Sequence, residues 1–198
     1  MAVDGVAAHQ RCGFDLPAIV QVAVRRAQEV GFGNACLPEQ GRLLEVLARG
    51  RAGGRIGEAG TGCGVGLAWL AGAAGPATTL VSVERDPVLA AAADDLFHDW
   101  PNVSVLHGDW AAIADWAPFD LLVLDAGAKV DSTRVDPVDL LAPGAGLVID
   151  DFSPMTAWPP HFAGEVDAAR LHWLEHPLLL TTEIRLTASA SALVAMRR

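Results

Sequence analysis

Five short apolar runs along the chain have the length and composition of β-strands. Helix-forming stretches lie between the first and second runs and between the second and third. The runs cover residues 55–58, 80–83, 103–106, 119–124 and 146–149. The run at 119–124 is almost wholly apolar, as expected for a strand buried on both faces of a parallel sheet. Strands that alternate with helices predict an α/β fold built on a doubly wound, mostly parallel sheet.

Two helices are predicted before the first strand-like run. Apolar residues between Leu16 and Ala27 recur every three or four positions, which predicts a helix capped by Asp15 and stopped at Gly31. A second helix is predicted from near Pro38 to Gly50.

After residue 149 the sequence predicts a loop at the ligand site, a helix and a C-terminal β-hairpin. Residues 152–162 contain three prolines and several large apolar side chains, so we expect a structured loop at the ligand site with Trp158 and Phe162 as its contact surfaces. A helix is predicted from Glu165 to His176, followed by two strands at 181–186 and 191–196.

Alternating glycines follow the first run. Gly60, Gly62, Gly64 and Gly66 come directly after Glu58 and lead into helix-forming residues. Glycine opens dihedrals closed to other residues and lets a ligand approach the main chain, while the following helix presents free N–H groups. Dinucleotide sites place glycine at positions one, three and six of the turn, and no register fits here.

Acids close the later runs. Glu84 lies 18 residues after Gly66, where a carboxylate can bind both hydroxyls of a ribose. Asp109, Asp125 and the Asp150-Asp151 pair end the third, fourth and fifth runs. Since the carboxyl ends of parallel strands meet at one edge of a sheet, we expect these acids along a single rim.

The order Glu58-x-Gly60-x-Gly62-x-Gly64 resembles motif I of the class I S-adenosylmethionine-dependent methyltransferases, and residues 83–87 resemble their motif II. Gly108-Asp109 resembles their adenine-binding corner. The resemblance implies a seven-stranded sheet of order 3-2-1-4-5-7-6 with the last strand antiparallel, and S-adenosylmethionine as cofactor. The cofactor contacts that it implies are Glu58, Gly60, Thr61, Gly62, Gly64, Glu84, Arg85, Gly108, Asp109, Trp110 and Asp125.

Residues 38–44 further resemble the segment that leads into the sheet of small catechol-type O-methyltransferases. That likeness implies a divalent cation such as Mg²⁺ on Asp125, Asp150 and Asp151, with Asp151 in place of the family's Asn. Asp125 and Lys129 are the implied catalytic residues, although Lys129 follows Asp125 by four positions where the relatives have three. Without a metal, Asp125 would face the cofactor's ammonium and Asp150 would accept from backbone.

The motif departs from these relatives at one more position. Gly66 stands where they often have Ser or Thr, so backbone N–H groups would replace a hydroxyl contact to the cofactor's carboxylate.

Composition and charge limit the number of domains and the kinds of partner to expect. The chain has 198 residues, of which 52% are hydrophobic, and we expect one domain over 1–198, with a helical cap at 1–50 and the cofactor sheet and substrate rim at 51–198. A net charge of −10 argues against nucleic acid, and no run predicts a membrane span or a signal peptide. Three cysteines without a C-x-x-C pair fit a cytoplasmic protein. A small-molecule acceptor is favoured, and a homodimer stays open.

The functional prediction is O-methylation of a small hydroxylated molecule. Two alternatives remain at this stage. One is a non-catalytic cofactor-binding or interaction module on a degenerate methyltransferase fold, favoured by the displaced Lys129 and the missing Asn. The other is transfer of another group of the same cofactor, such as aminopropyl.

Overall fold

A computed structural model describes residues 4–125 and 135–198 of the chain. Its strands form a seven-stranded sheet and a separate two-stranded ribbon. The strands are β1 (Arg55–Ala59), β2 (Thr79–Glu84), β3 (Val103–His107), β4 (Phe119–Leu124), β5 (Leu141–Phe152), β6 (His161–Phe162), β7 (Glu165–Val166), β8 (Leu179–Arg185) and β9 (Ser191–Arg197).

The sheet has the order β3-β2-β1-β4-β5-β9-β8, and β6 pairs only with β7. Strands β1 to β5 run parallel, whereas β9 is antiparallel to both β5 and β8. Counted within this sheet alone, β8 and β9 are its sixth and seventh strands. The predicted order and the antiparallel last strand are therefore confirmed.

Six helices and two 3-10 helices lie within the described ranges. The helices are α1 (Gly5–Arg11), α2 (Ala18–Glu29), α3 (Pro38–Arg49), α4 (Val65–Ala74), α5 (Pro87–Phe97) and α6 (Ala168–Leu174), and the 3-10 helices are Trp110–Trp116 and Pro137–Leu140. None of the helices in these ranges is long and apolar enough to cross a membrane.

Two hydrophobic cores lie on opposite faces of the sheet because successive strand residues point to opposite sides. Ile56 of β1 joins the core made with α2 to α5, which also buries Leu44 and Trp69. Phe119 of β4 joins the other core, which buries Ile113 and Trp173. The layers leave the carboxyl ends of β1 to β5 at one edge of the domain.

Two helix boundaries differ from the sequence-based expectations, and one helix was not predicted. Helix α2 begins at Ala18 with Pro17 at its N-cap, so the prediction of Asp15 as the cap was wrong. Helix α1 was not predicted; the Asp4 side chain accepts from the Ala7 N–H and caps it. The helix predicted from Glu165 is shorter, because Glu165–Val166 pairs in β7 and the Asp167 side chain caps α6 instead.

Candidate functional site

A cleft of about 850 Å³ opens at the carboxyl ends of β1, β2, β4 and β5. Its floor contains the glycine turn after β1, and its sides contain the predicted acids Glu58, Glu84, Asp125, Asp150 and Asp151. Of the acids expected along one rim of the sheet, Glu84, Asp125, Asp150 and Asp151 line this cleft, whereas Asp109 does not.

The glycine turn requires glycine for two separate reasons. Gly60, Gly62 and Gly64 have φ values of 101°, 52° and 84°, which side chains of other residues disfavour. A Cβ on Gly60 would lie 3.0 Å from the carbonyl oxygen of Asp125, and one on Gly62 would lie 2.8 Å from the Phe32 ring. The turn is thus packed between β4 and the segment before α3, and its main chain faces the cleft.

Glu84 is held by backbone amides at the end of β2. Its Oε2 accepts from the Gly62 N–H and its Oε1 from the Asp86 N–H, both at 2.8 Å. Each carboxylate oxygen can accept a further hydrogen bond. The carboxylate is therefore fixed beside the turn with capacity left for two ligand hydroxyls.

Glu58 lies beneath the turn and is almost fully buried. The Ser82 hydroxyl donates to its Oε2 at 2.5 Å and lies 2.5 Å from the Thr61 hydroxyl. Burial raises the pKa of Glu58 from 4.5 to about 8; the Ser82 hydrogen bond opposes that shift and the charge of Asp125 adds to it. The base of the cleft therefore holds a carboxyl group that lacks a neutralising cation among the described residues.

Asp125, Asp150 and Asp151 converge at the other end of the cleft. Leu124 of β4 is paired with Ile149 of β5, so the residues that follow them emerge side by side. One oxygen from each of the three carboxylates lies within 4.8 Å of the others. Such an all-oxygen set suits a hard divalent cation.

Four predicted residues do not line the cleft. Gly108 donates from its N–H to the Glu84 carbonyl oxygen at 2.8 Å, which places the end of β3 beside the ribose candidate. The Asp109 carboxylate accepts from the Ala111 N–H and caps a 3-10 helix, while Trp110 packs against the second core. Gly64 shapes the turn without reaching the cavity. Their cofactor contacts stay predictions.

The remaining predicted residues differ in whether they line the cleft. Arg85 and Thr61 line the cleft, and Arg85 is the only cation among its described lining residues. Lys129 lies outside the described residues. Phe162 lines the cleft, whereas Trp158 is 61% exposed and is not among the lining residues.

The segment before and within α3, part of the expected helical cap, supplies a wall of the cleft whose individual residues were not predicted. Its lining residues are Phe32, Asn34, Ala35, Cys36, Leu37, Gln40 and Leu44. Burial raises the pKa of the Cys36 thiol well above its ordinary value and that of Cys63, in the turn, to about 11. Both thiols are therefore protonated near neutral pH and contribute packing rather than nucleophiles.

The opposite wall is anchored by a buried guanidinium. Arg170 forms ion pairs with Asp167 at 3.1 Å and Glu183 at 3.0 Å, and it lies 4.9 Å from the centre of the Phe152 ring. Glu183 also accepts from the Met155 N–H at 2.7 Å. This network fixes the start of the 152–162 loop, and Phe152 lines the cleft.

Comparisons with known proteins agree with this geometry. The model of the family Protein-L-isoaspartate(D-aspartate) O-methyltransferase (PCMT) matches residues 27–150, more than half of the chain. A provisionally named O-methyltransferase of Mycobacteroides abscessus is 30% identical over 184 residues, which cover 85% of each chain.

Solved structures share the fold over nearly the whole length. Cofactor-bound Rv0187 from MTB aligns with a TM-score of 0.79 at 24% identity, covering 100% of this chain and 98% of that one. The O-methyltransferase TomG from Streptomyces achromogenes, in complex with SAM, aligns with a TM-score of 0.74 at 23% identity, covering 96% and 94%. The non-catalytic alternative is not favoured by these relatives. The chain belongs to the class I S-adenosylmethionine-dependent O-methyltransferases, the group that contains the matched family.

Proposed function

We propose that this enzyme methylates a hydroxyl oxygen of a small molecule, and that Asp125, Asp150 and Asp151 hold a divalent cation such as Mg²⁺ that binds this hydroxyl. The observation that supports the proposal best is the convergence of the three carboxylates within 4.8 Å, in the same cleft as the glycine turn. Three like charges this close repel one another, and a dication offsets that repulsion.

The residues fit S-adenosylmethionine along the cleft. Glu84 would accept from the two ribose hydroxyls, the bare backbone at Gly60 and Gly62 would face the cofactor, and Asp109 with Trp110 would approach the adenine. When bound, the cofactor supplies a methyl group on a sulfonium leaving group. The protein's part is then mainly to position the acceptor oxygen and to help it lose its proton.

Asp125, Asp150 and Asp151 would hold the cation, which would supply Lewis-acid stabilisation of the acceptor hydroxyl as that hydroxyl loses its proton. Asp151 adds a negative charge relative to the family's Asn. That charge strengthens attraction for the cation and opposes ionisation of the acceptor hydroxyl. Lys129 remains the proposed base for the proton.

The lining of the acceptor side of the cleft favours a small aromatic acceptor that is uncharged or cationic. The Phe152 and Phe162 rings line it, and Arg85 is its only cation among the described residues. The isoaspartate family match ends at residue 150, before this wall begins, so it bears on the cofactor half of the chain. TomG, which this chain resembles over nearly its whole length, is an O-methyltransferase involved in tomaymycin synthesis.

The test is release of S-adenosylhomocysteine with a panel of phenols and catechols and, in parallel, an isoaspartyl peptide. We expect turnover with a phenolic acceptor, loss of it in EDTA, and recovery with Mg²⁺. Asp125→Asn should abolish the metal response, while Asp139→Asn, at an exposed position outside the cleft, should keep it. Turnover indifferent to EDTA would remove the metal from the proposal, and methylation of the peptide alone would overturn the small-molecule acceptor.

We also propose that the enzyme forms a homodimer through the outer strands of its sheet. Leu180 and Ile184 of β8 and Met196 of β9 point to the same face and are exposed. The opposite face of β8 is covered, since Leu179 is buried in the core that contains Trp173. Light scattering after size-exclusion chromatography should give twice the chain mass, and Leu180→Lys should halve it; a monomeric wild type would refute the dimer.

A further inference from the structure

One buried polar side chain in the cleft has no role so far. Gln40 of α3 is 3% exposed and lines the cleft. Among residues 4–125 and 135–198, its side-chain amide has no hydrogen-bond partner. Its amide is not among the sealed, unpartnered polar atoms of these residues, so it faces the cavity, where a ligand can complete its hydrogen bonds.

The position of Gln40 assigns it to one end of the cleft. Leu37, Gln40 and Leu44 line the cleft from successive turns of α3, at the spacing of a single helix face. Leu44 reaches the start of α4: a Cβ on Gly66 would lie 4.0 Å from Leu44 Cδ1 and 2.5 Å from Glu58 Oε1. Gln40 therefore lies near the base of the turn, whereas Glu84 marks the far, ribose end on β2.

The same contact explains why a donor is needed there. A Cβ at position 66 would lie 2.5 Å from Glu58 Oε1 as that carboxyl stands, and with glycine there the first turn of α4 offers only backbone N–H groups. The charged groups around this end of the cleft, Glu58, Asp125 and Asp150, are acids. An anionic group bound among them requires neutral donors.

We propose that the side-chain N–H of Gln40 donates to the α-carboxylate of the cofactor's methionine end, as a cofactor-binding residue beside the amides of α4. This rests on the proposed placement of the cofactor with its ribose at Glu84. Gln40 thereby supplies the side-chain donor that Gly66 lacks.

Calorimetry with three ligands tests the assignment without any acceptor. S-adenosylhomocysteine carries the carboxylate, decarboxylated S-adenosylmethionine keeps only the ammonium, and 5′-methylthioadenosine lacks both. Gln40→Met should weaken the binding of S-adenosylhomocysteine about 10- to 100-fold, as for a lost hydrogen bond to a charged group. The affinities of the other two ligands should be unchanged. Gln21→Met, at an exposed position of α2, is the matched control and should leave all three unchanged.

Gln40→Glu is nearly isosteric and covers the case in which the methionine variant unfolds. It replaces the donor with a carboxylate, so S-adenosylhomocysteine should bind more weakly than it does to Gln40→Met. The affinity for decarboxylated S-adenosylmethionine should not fall. Equal losses with all three ligands, or no loss with any, would overturn the assignment. Glu84→Gln tests the cofactor placement separately, because it should weaken all three ligands alike.

Discussion

Glu58 should make the stability of the apo protein fall as pH rises. Its pKa is raised from 4.5 to about 8 in the folded state, chiefly by burial. Between those values the folded protein keeps the proton that the unfolded chain releases, so the stabilisation is complete below pH 4.5 and is lost as pH rises through about 8. A pKa difference of about 3.5 corresponds to about 5 kcal/mol over the whole interval, or about 1.4 kcal/mol per pH unit.

Urea unfolding at pH 5.5, 7.0 and 8.5 measures this effect, with Glu58→Gln as the perturbation. The glutamine cannot ionise, so the free energy of unfolding of the wild type relative to the variant should decrease by about 1.4 kcal/mol per pH unit. Groups that titrate in both proteins cancel in the difference. Glu29→Gln, at an exposed position of α2, is the control and should follow the wild type. Parallel curves for wild type and Glu58→Gln would show that Glu58 is ionised in the folded apo protein and would refute the reasoning.

Three further predictions follow from the contacts of the cleft. Glu84→Gln should weaken S-adenosylhomocysteine binding by about 1–3 kcal/mol in calorimetry, since it removes the charge that strengthens the ribose hydrogen bonds; unchanged affinity would place the ribose elsewhere. Arg170→Met should lower the free energy of unfolding by about 3–5 kcal/mol, because it leaves two carboxylates, including Glu183, without their buried partner, and should raise KM for the acceptor more than the cofactor Kd. Gly66→Ser should lower the free energy of unfolding by about 1–3 kcal/mol in urea, because its Cβ would lie 2.5 Å from the buried Glu58 Oε1; a variant as stable as wild type would show that the Glu58 carboxyl moves aside without cost.

The fold and the acidic rim could be predicted because their signals are local. Each strand of the parallel sheet is a short apolar run, and an acid or the glycine turn follows it, so the topology alone brings Glu84, Asp125 and Asp150 to one edge. The metal candidates came from the resemblance to catechol-type enzymes, and the structure brings them together because Leu124 and Ile149 pair in register.

The walls of the cleft could not be predicted in the same way because they depend on packing between distant segments. Phe32 contacts the Gly62 position across 30 residues of sequence, and nothing in its own surroundings indicates a ligand site. The Arg170 network joins α6, β8 and the loop after β5. The helix predicted from Glu165 was placed too early because Glu165–Val166 pairs with β6 instead. Gln40 lay within a recognised segment, yet only its burial and lack of a partner distinguish it from an ordinary helical glutamine.

Gly66 and Glu58 belong to the same motif and lie close together in the fold. Along the sequence, Gly66 is the loss of a hydroxyl donor, and Glu58 is one of the motif's acids. In the fold, Glu58 Oε1 lies 2.5 Å from where a Cβ at position 66 would stand, so a larger residue there requires the Glu58 carboxyl to shift. The donor then has to come from another element, and the α3 face that crosses the start of α4 carries Gln40 there. Two positions that look independent in the motif are therefore coupled through a single carboxyl group.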